Sequence, residues 1–250
     1  DLNPDWNMLF FDDSDVENFI SENYSKKTLA AYRSLNTKLG PARADFFRYL
    51  ALYKIGGVYI DIKSKISKPL DTWLTQGDEF ILAQWPPRWK EIHPNIGRHP
   101  ELSHIQGGEY INWFLRSPSG HPFLKELVNV VEKNIRNYSP LTTGLGKKSV
   151  LINTGPIAYT RTIHKIMNLH PHVFERDLES CGIHYTFMQT ANDHKGVFIN
   201  HYTTQKEPVV NVSKIHCLVF RMYKFTQRIY GFLKRLPKKV LKKSLPKKIL

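Results

Sequence analysis

The feature that most constrains this 250-residue chain is a helical pattern that stops at two glycines and leads straight into a short strand. Pro41 stands in the first turn, where a missing N–H costs a helix nothing, and the pattern continues to about Lys54. Gly56 and Gly57 then end the helix. Residues 58–62 alternate β-branched or aromatic side chains with charged ones, which is typical of a strand. This order of elements predicts an α/β domain.

Two charged residues interrupt the apolar surface of this helix. Apolar side chains lie on opposite faces of it, which predicts burial on both sides. Asp45 and Arg48 are three residues apart and therefore share one stripe. One interpretation is an intrahelical ion pair at the rim of the domain. The other is a polar stripe that faces a ligand across the neighbouring strand ends, and the pattern alone leaves both open.

The strand after the glycines carries a second polar set. Because side chains alternate along a strand, Tyr59, Asp61 and Lys63 share one face, and the apolar residues between them, Ile62 included, are predicted to face the core. Open α/β sheets bind ligands at the carboxyl ends of their strands. Two alternating acids there would bind a divalent cation and, through it, a diphosphate. The second acid is replaced by Lys63, and Asp-x-Lys alone has no specificity.

The remaining patterns extend the α/β interpretation. We predict helices over residues 15–23, 26–35, 121–138 and 155–167, strands over 8–11, 80–84, 112–115 and 197–201, and loops over 85–108 and 142–149. Alternation of strands and helices predicts a sheet with mostly parallel strands. Trp85 and Trp89 in the first loop either stack on an acceptor sugar or simply pack the loop.

The stretch ARADFFRYLALYKIGGVYIDIKSKISKPLD, residues 42–71, resembles the core signature of the glycosyltransferase family with a DXD sugar-binding region. That family includes yeast initiating α-1,6-mannosyltransferases and capsular-polysaccharide glycosyltransferases. The matching residues are Asp45, Arg48, Gly56, Gly57, Tyr59, Asp61, Lys68 and Pro69. Weaker resemblance extends over residues 3–203 and includes NTGP at residues 153–156 and INHY near His201. The family's usual first strand is expected upstream of Asp1.

The resemblance implies a GT-A-like nucleotide-binding fold with a mixed, mostly parallel sheet. It implies a hexosyltransferase that moves a sugar from a nucleotide-sugar donor to a glycan or lipid-linked acceptor, with retention at the anomeric carbon. Asp61 and Lys63 are then expected to be catalytic, and Asp61 and His201 to bind a divalent cation, Mn²⁺ or Mg²⁺. The residues expected to bind the donor are Asp45, Arg48, Gly56, Gly57, Tyr59 and Gly155.

Lys63 departs from the family pattern, because that position normally carries the second metal-binding acid. In one account Lys63 contacts the donor diphosphate and replaces the charge of the metal. In a second, Asp61 and His201 still hold the metal while Lys63 turns outward. In a third, the protein is a non-catalytic carbohydrate- or nucleotide-binding module on the same fold. We favour retained catalysis, because Asp45, Arg48, Asp61 and the two glycines are all present, and we rank the first two accounts nearly equal.

The net charge of +14 is concentrated at the C-terminus. Residues 208–250 hold 12 Lys or Arg and no acid, so the remaining residues carry only +2. A nearly neutral body argues against nucleic acid as a partner. We predict a glycosyltransferase domain over residues 1–215 and a basic amphipathic helical extension over residues 216–250. The apolar stripe of the extension either packs on the domain or lies on an anionic membrane surface. The membrane interpretation predicts a peripheral protein on the cytoplasmic face, or in the Golgi lumen if the N-terminus is trimmed.

Overall fold

A computed structural model describes residues 2–74, 79–185 and 205–235. The helices are α1 (Asp13–Asn23), α2 (Lys26–Ser34), α3 (Gly40–Ile55), α4 (Pro87–Ile92), α5 (Pro122–Arg136), α6 (Pro140–Thr143), α7 (Gly146–Asn153), α8 (Pro156–Ile166) and α9 (Lys214–Arg235). The strands are β1 (Gly57–Ile60), β2 (Lys65–Ile66), β3 (Phe80–Ala83), β4 (Phe114–Ser117), β5 (His172–Glu175) and β6 (Ile183–His184).

The main sheet has the strand order β1-β4-β3-β5, and β2 pairs with β6 in a separate two-stranded sheet. The mixed α/β architecture predicted from the sequence is confirmed, since β3 and β5 are parallel whereas β4 is antiparallel to both β1 and β3. The expectation of mostly parallel strands does not hold for the described strands. Parallel neighbours require a crossover connection. The chain between β3 and β4 instead folds back through an antiparallel bridge from Gln84 to Tyr110.

The sheet separates two hydrophobic clusters. Alternate residues of β3 and β4 point to opposite faces, so Leu82 and Leu115 join the cluster under the helices while Ile81 and Phe114 join the other. The helical cluster contains the fully buried Phe46, Tyr49 and Tyr159 from α3 and α8. The second cluster is rich in tryptophan and includes Trp85 and Trp113. The sheet is therefore covered on both faces, and its strand ends lie between two packed layers.

Helix α3 is buried on most of its circumference, as its pattern predicts. Ala42, Phe46 and Leu50 are fully buried, although Ala44 is exposed. The helix ends at Gly56, which has φ +77° and whose N–H donates to the carbonyl of Leu52. A Cβ at Gly56 would lie 2.7 Å from the backbone nitrogen of Ser119. Glycine is thus required there both by the backbone conformation and by the closeness of the following loop.

Several sequence-based predictions of elements are wrong. Residues 8–11 form no strand, because no described strand pairs with them, and the side chains of Met8 and Phe10 are largely exposed. Ile62 is 87% exposed, since β1 ends at Ile60 and the alternation no longer applies beyond it. The predicted loop over residues 142–149 is largely helical, with only the turn at Gly144 between α6 and α7. The predicted strand over residues 197–201 lies outside the described residues.

Helix α9 follows a segment that is tied to the body of the protein. The N–H of Asn36 donates to the carbonyl of Val209 over 2.9 Å, and that of Asn211 donates to Ser34 over 2.8 Å. Val209 and Val210 are buried in the helical cluster. In the parts of the chain that the structure describes, no helix combines the length and apolarity needed to cross a membrane.

Candidate active site

The polar stripe of α3 lies in the interior, where it forms an ion pair. The side chains of Asp45 and Arg48 are only 8% and 5% exposed, and the Arg48 Nη2 lies 3.3 Å from the Asp45 Oδ1. The interpretation of a rim ion pair is therefore wrong. A buried ion pair is costly unless further polar groups form hydrogen bonds with it. The other partners of Asp45 and Arg48 therefore determine whether the pair is stable.

Arg48 is shared with a second carboxylate, which comes from the end of β1. Its Nη1 lies 3.1 Å from the Oδ1 of Asp61, whose side chain is 22% exposed. The guanidinium also packs over the Tyr59 ring, 4.5 Å from the centroid, and the Tyr59 hydroxyl donates to Asp61 over 3.0 Å. The helix stripe and the strand end thus meet as the sequence predicted, and Asp61 is the more exposed of the two carboxylates.

Residues from two distant segments complete this cluster. The side-chain amide of Asn112 donates to Asp45 over 3.2 Å and to the Tyr49 hydroxyl over 2.9 Å, and the backbone carbonyl of Asn112 accepts from Arg48. The Thr154 hydroxyl donates to the other oxygen of Asp45 over 3.2 Å. Gly155 lies beside them, because a Cβ there would be 3.3 Å from the Asp45 Oδ2. Asn112 and Thr154 were not identified from the sequence as individual site residues, although Thr154 lies within the NTGP turn.

Burial and neighbouring charges shift the pKa values of Asp45 and Arg48. Burial, with a smaller contribution from the charge of Asp61, raises the pKa of Asp45 to about 6 against the opposing effects of Arg48 and the two hydrogen bonds. Burial alone would lower the pKa of Arg48, but Tyr59, Asp61 and Asp45 together raise it above its ordinary value. Arg48 is therefore a permanent cation, whereas Asp45 can take up a proton near neutral pH.

Lys63 is held against an aromatic ring. Its ammonium donates to the hydroxyl of Tyr185 and lies 4.0 Å from the centroid of that ring. The Ser64 hydroxyl donates to the carbonyl of Tyr185 over 3.3 Å. Lys63 is half-buried and does not extend into solvent. The account in which Lys63 turns outward would require it to do so. Tyr185 was not identified from the sequence, since it lies 122 residues away from Lys63.

Tyr185 belongs to an aromatic cluster that also contains three tryptophans. Its ring centroid lies 4.9 Å from that of Trp85, 5.9 Å from Trp89 and 5.2 Å from Trp113. The Trp113 backbone carbonyl accepts from the N–H of Asp61 over 2.8 Å. The indole N–H of Trp113 is buried and finds no hydrogen-bond partner among the described residues. The cluster thus fixes Lys63 and the end of β1 relative to each other.

Residues 85–108, predicted as a loop, contain the short helix α4 and are packed by their own side chains. Glu109 accepts from the Trp85 indole over 2.7 Å and lies 2.7 Å from the His99 Nε2. Gly97 has φ +66°, and a Cβ there would lie 2.6 Å from the Trp85 ring. Of the two interpretations of Trp85, self-packing therefore describes it, because it is only 7% exposed.

A polar cleft of about 360 Å³ lies beside this aromatic cluster. It is lined by Pro86, Pro87, Arg88, Arg176, Asp177, Glu179, Ser180 and His184. Its two acids are engaged: Glu179 accepts from the Trp89 indole over 2.9 Å and pairs with Arg88, and Asp177 accepts backbone N–H groups. Arg176 is exposed. Glu179 of the cleft contacts Trp89, and His184 of the cleft directly precedes Tyr185, so the cleft lies next to the aromatic cluster that holds Lys63.

The described residues do not by themselves fit a divalent cation. Residues 2–74, 79–185 and 205–235 contain no group of three or more His, Cys, Asp or Glu side chains placed to hold one. Asp61 is a suitable oxygen ligand but is paired with Arg48. His201, the other expected ligand, lies outside the described residues. We therefore derive no catalytic step through a metal.

The two glycines expected to bind the donor are not part of this cluster. Gly56 and Gly57 lie at the opposite end of β1 from Asp61, and four residues of strand span roughly 13 Å. The backbone of residues 117–119 surrounds Gly56. Their placement supports a role in the helix-to-strand turn and does not support a contact with the donor.

A fold of this kind with a carboxylate–arginine–carboxylate cluster at a strand end agrees with the class inferred from the sequence. Residues 1–79 match the model of the family described as "Glycosyltransferase sugar-binding region containing DXD motif". The match includes Asp45, Arg48, Asp61 and Lys63. The predicted resemblance to DXD-containing glycosyltransferases is thereby confirmed.

Individual relatives are named mannosyltransferases. The initiation-specific α-1,6-mannosyltransferase of Candida albicans is 29% identical over 181 residues, covering 67% of this chain and 46% of its own. An inositol phosphoceramide mannosyltransferase of Schizosaccharomyces pombe is 25% identical over 207 residues, covering 78% and 51%. The chain thus spans about half the length of these relatives. Among solved structures, PaToxG glycosyltransferase matches 80% of this chain and 57% of its own, with 14% identity and a TM-score of 0.42.

Proposed function

We propose that this protein is a glycosyltransferase that moves a hexose from a nucleotide-sugar donor to a glycan or lipid-linked acceptor, with retention of anomeric configuration. The observation that carries the proposal is the buried Asp45–Arg48–Asp61 cluster, which opens to solvent at Asp61. The named activities of the relatives support mannose as the sugar to test first.

The cluster suits recognition of a sugar rich in hydroxyl groups. Asp61 is the exposed carboxylate, and Arg48 and Tyr59 hold it in one orientation. A carboxylate that is fixed before the ligand arrives loses little conformational entropy on accepting hydrogen bonds from hydroxyls. Asp45 and Asn112 keep Arg48 in place from the inner side. We therefore assign Asp61 to direct donor contact and the inner residues to its positioning.

Lys63 suits the developing charge of the leaving group. In the proposed reaction the bond between the anomeric carbon and the diphosphate oxygen breaks, and its electron pair leaves with the nucleoside diphosphate. The acceptor hydroxyl oxygen bonds to the anomeric carbon, and its proton passes to a phosphate oxygen of the leaving group. A lysine ammonium that is already oriented stabilises this charge without reorganisation. The contacts of Lys63 with Tyr185 supply such orientation, which favours the account in which Lys63 contacts the diphosphate.

The polar cleft next to the aromatic cluster is our proposed entrance for the acceptor. It presents Arg88, Arg176 and His184 next to the residues that hold Lys63. The cleft acids Glu179 and Asp177 already have partners, and Arg88 is paired with Glu179, so the exposed Arg176 is the group best placed to meet an incoming acceptor. Its volume is in the range of small-molecule sites. An acceptor with hydroxyls and a negative charge fits these groups.

Release of nucleoside diphosphate from GDP-mannose, measured with and without acceptor, tests the proposal. We expect turnover in the presence of chelator, with little change on adding Mn²⁺. Loss of one preorganised charge should lower metal-free turnover about 100-fold in Lys63→Asp and create a requirement for Mn²⁺. Asp61→Ala should abolish turnover. Lys125→Asp is the matched control, because Lys125 is exposed on α5 and the charge change is the same.

The outcomes separate the alternatives. Strict dependence of the wild-type protein on Mn²⁺ would rule out the account in which Lys63 replaces the metal. Binding of nucleotide-sugars without any nucleotide release, tested over a panel of donors, would favour the non-catalytic binding module. Equal loss of turnover in Lys63→Asp and Lys125→Asp would show that the effect of Lys63 is merely one of net charge.

A further inference from the structure

Helix α9 carries an apolar stripe that the body of the protein leaves uncovered. Six apolar side chains on it are between 44% and 72% exposed: Ile215, Leu218, Val219, Met222, Phe225 and Ile229. At 100° per residue these positions fall within an arc of about 120°. The sequence alone left open whether this stripe packs on the domain, and in the structure it does not.

The opposite side of the helix attaches it to the protein. Phe220 is only 8% exposed, and by helical geometry it lies outside the exposed arc. Helix α9 contacts α6, and the segment before it is hydrogen-bonded to residues 34–36. The helix is therefore held by one side and presents its apolar stripe outward.

The positive charge of α9 and its flanking residues indicates which kind of surface can cover the apolar stripe. Positions 214, 221, 224, 228, 234 and 235 are all Lys or Arg, and none falls within the exposed arc. Residues 236–250 add six lysines, and the whole of residues 208–250 contains no acid. A second copy of the chain would bring two such regions together and repel. An anionic surface would be attracted instead.

We propose that the apolar stripe of α9 inserts into the surface of an anionic lipid bilayer while the flanking cations contact the lipid head groups. An apolar face about one third of the circumference wide, flanked by Lys and Arg, is typical of helices that lie in the plane of a membrane interface. The inference does not depend on the proposed glycosyltransferase function. The compartment, the cytoplasmic face or the Golgi lumen, stays a prediction from the sequence.

Sedimentation of the full chain with vesicles tests this proposal. We expect the protein to bind vesicles of phosphatidylcholine with phosphatidylglycerol and not vesicles of phosphatidylcholine alone. Met222→Glu should weaken binding to the anionic vesicles about tenfold, because it removes an inserted side chain and places a charge at the interface. Gln227→Glu is the matched control. It makes the same charge change at an exposed position outside the stripe of α9 and should weaken binding much less.

Other outcomes would overturn the proposal. Equal weakening by the two variants would mean that Coulomb attraction acts alone and that the stripe does not insert. Absence of binding to anionic vesicles would reject the membrane as the partner. A concentration-dependent dimer in sedimentation equilibrium, dissociated by Met222→Glu but not by Gln227→Glu, would assign the stripe to a second copy of the chain. Circular dichroism of both variants controls for folding.

Discussion

Arg48 divides its guanidinium between two carboxylates of unequal burial, and the more buried of them, Asp45, has a raised pKa. The side chain of Asp45 is 8% exposed and that of Asp61 is 22% exposed. Desolvation penalises the charged form more strongly at the inner position, so the pKa of Asp45 is raised. Asp61 keeps access to solvent, and a residue that contacts a ligand needs such access.

The raised pKa of Asp45 predicts a pH dependence of stability. The pKa is about 6 in the folded protein and about 4 in an unfolded chain. Between these values the folded state binds more protons, so this group makes the free energy of unfolding fall as pH rises from about 4 to about 6. The total effect is at most about 3 kcal/mol, at roughly 1.4 kcal/mol per pKa unit. Asp45→Asn keeps the shape of the side chain and removes the titration.

Thermal unfolding of the wild type and Asp45→Asn from pH 4 to pH 8 measures this effect. The Tm of the wild type, taken relative to the variant, should fall up to about pH 6 and stay level above it. Other titrating groups are common to both proteins and cancel in the difference. A difference in Tm between the two proteins that stays constant from pH 4 to pH 8 would contradict a raised pKa at Asp45.

At the residue scale, the sequence predicted the members of the site that are local and missed those that are remote. The three-residue spacing of Asp45 and Arg48 and the alternation along β1 were sufficient to identify the central cluster. Asn112 and Thr154 reach Asp45 across 67 and 109 residues of chain. No periodicity spans such distances, because these contacts follow from the packing of β4 and α8 against α3.

At the element scale, α3, the glycine turn and β1 act as one rigid unit that places Arg48 and Asp61 within contact. The sequence predicted this unit nearly to the residue, because the glycines, the proline and the apolar periodicity agree locally. It did not predict the antiparallel position of β4, which depends on how residues 84–113 fold back along β3. Strand direction is set by that long connection, whose path has no local signature.

The glycine turn yields a stability prediction. Gly56 has φ +77°, and an added Cβ would lie 2.7 Å from the Ser119 nitrogen, a backbone atom that cannot rotate away. Gly56→Ala should therefore lower the free energy of unfolding by about 2 kcal/mol or more, since strained φ alone costs roughly 1–3 kcal/mol. Gly40→Ala, in the first turn of the same helix, meets nothing within 4 Å and should be neutral or stabilising by about 0.5 kcal/mol.

Urea denaturation of both variants provides the measurement. The midpoint should fall for Gly56→Ala with an unchanged slope, and it should stay constant or rise for Gly40→Ala. If Gly56→Ala unfolds at the midpoint of the wild type, the turn tolerates a side chain and does not fix the relation of helix to strand.

At the scale of the whole molecule, the sheet separates a helical layer from an aromatic layer, and the site lies where the two meet. Asp45 and Arg48 come from the helical side, whereas Tyr185 and the tryptophans that hold Lys63 come from the other. Adjacent residues of the aromatic side face different spaces. His184 lines the cleft while Tyr185 contacts Lys63, and Arg88 lines the cleft while Trp89 packs on Tyr185.

This arrangement predicts that acceptor and donor steps can be separated by mutation. Arg176 lines the cleft, whereas Lys63 and Asp61 are held by Tyr185 and Arg48, so the loss of Arg176 should affect only the acceptor. Removing one charge-assisted hydrogen bond, worth about 1.5–3 kcal/mol, should raise the KM for an anionic acceptor at least tenfold in Arg176→Ala. Donor hydrolysis in the absence of acceptor should be unchanged. Arg161→Ala, an exposed arginine on α8 that does not line the cleft, is the matched control.

Transfer assays with a phosphorylated and a neutral acceptor sugar complete the test. If the cleft recognises charge, Arg176→Ala should weaken use of the phosphorylated acceptor far more than use of the neutral one. An equal loss of transfer to both acceptors would mean that Arg176 shapes the cleft without recognising the charge of the acceptor. A loss of donor hydrolysis as well would show that the change at Arg176 also reaches the Lys63 site, and that the two steps are coupled.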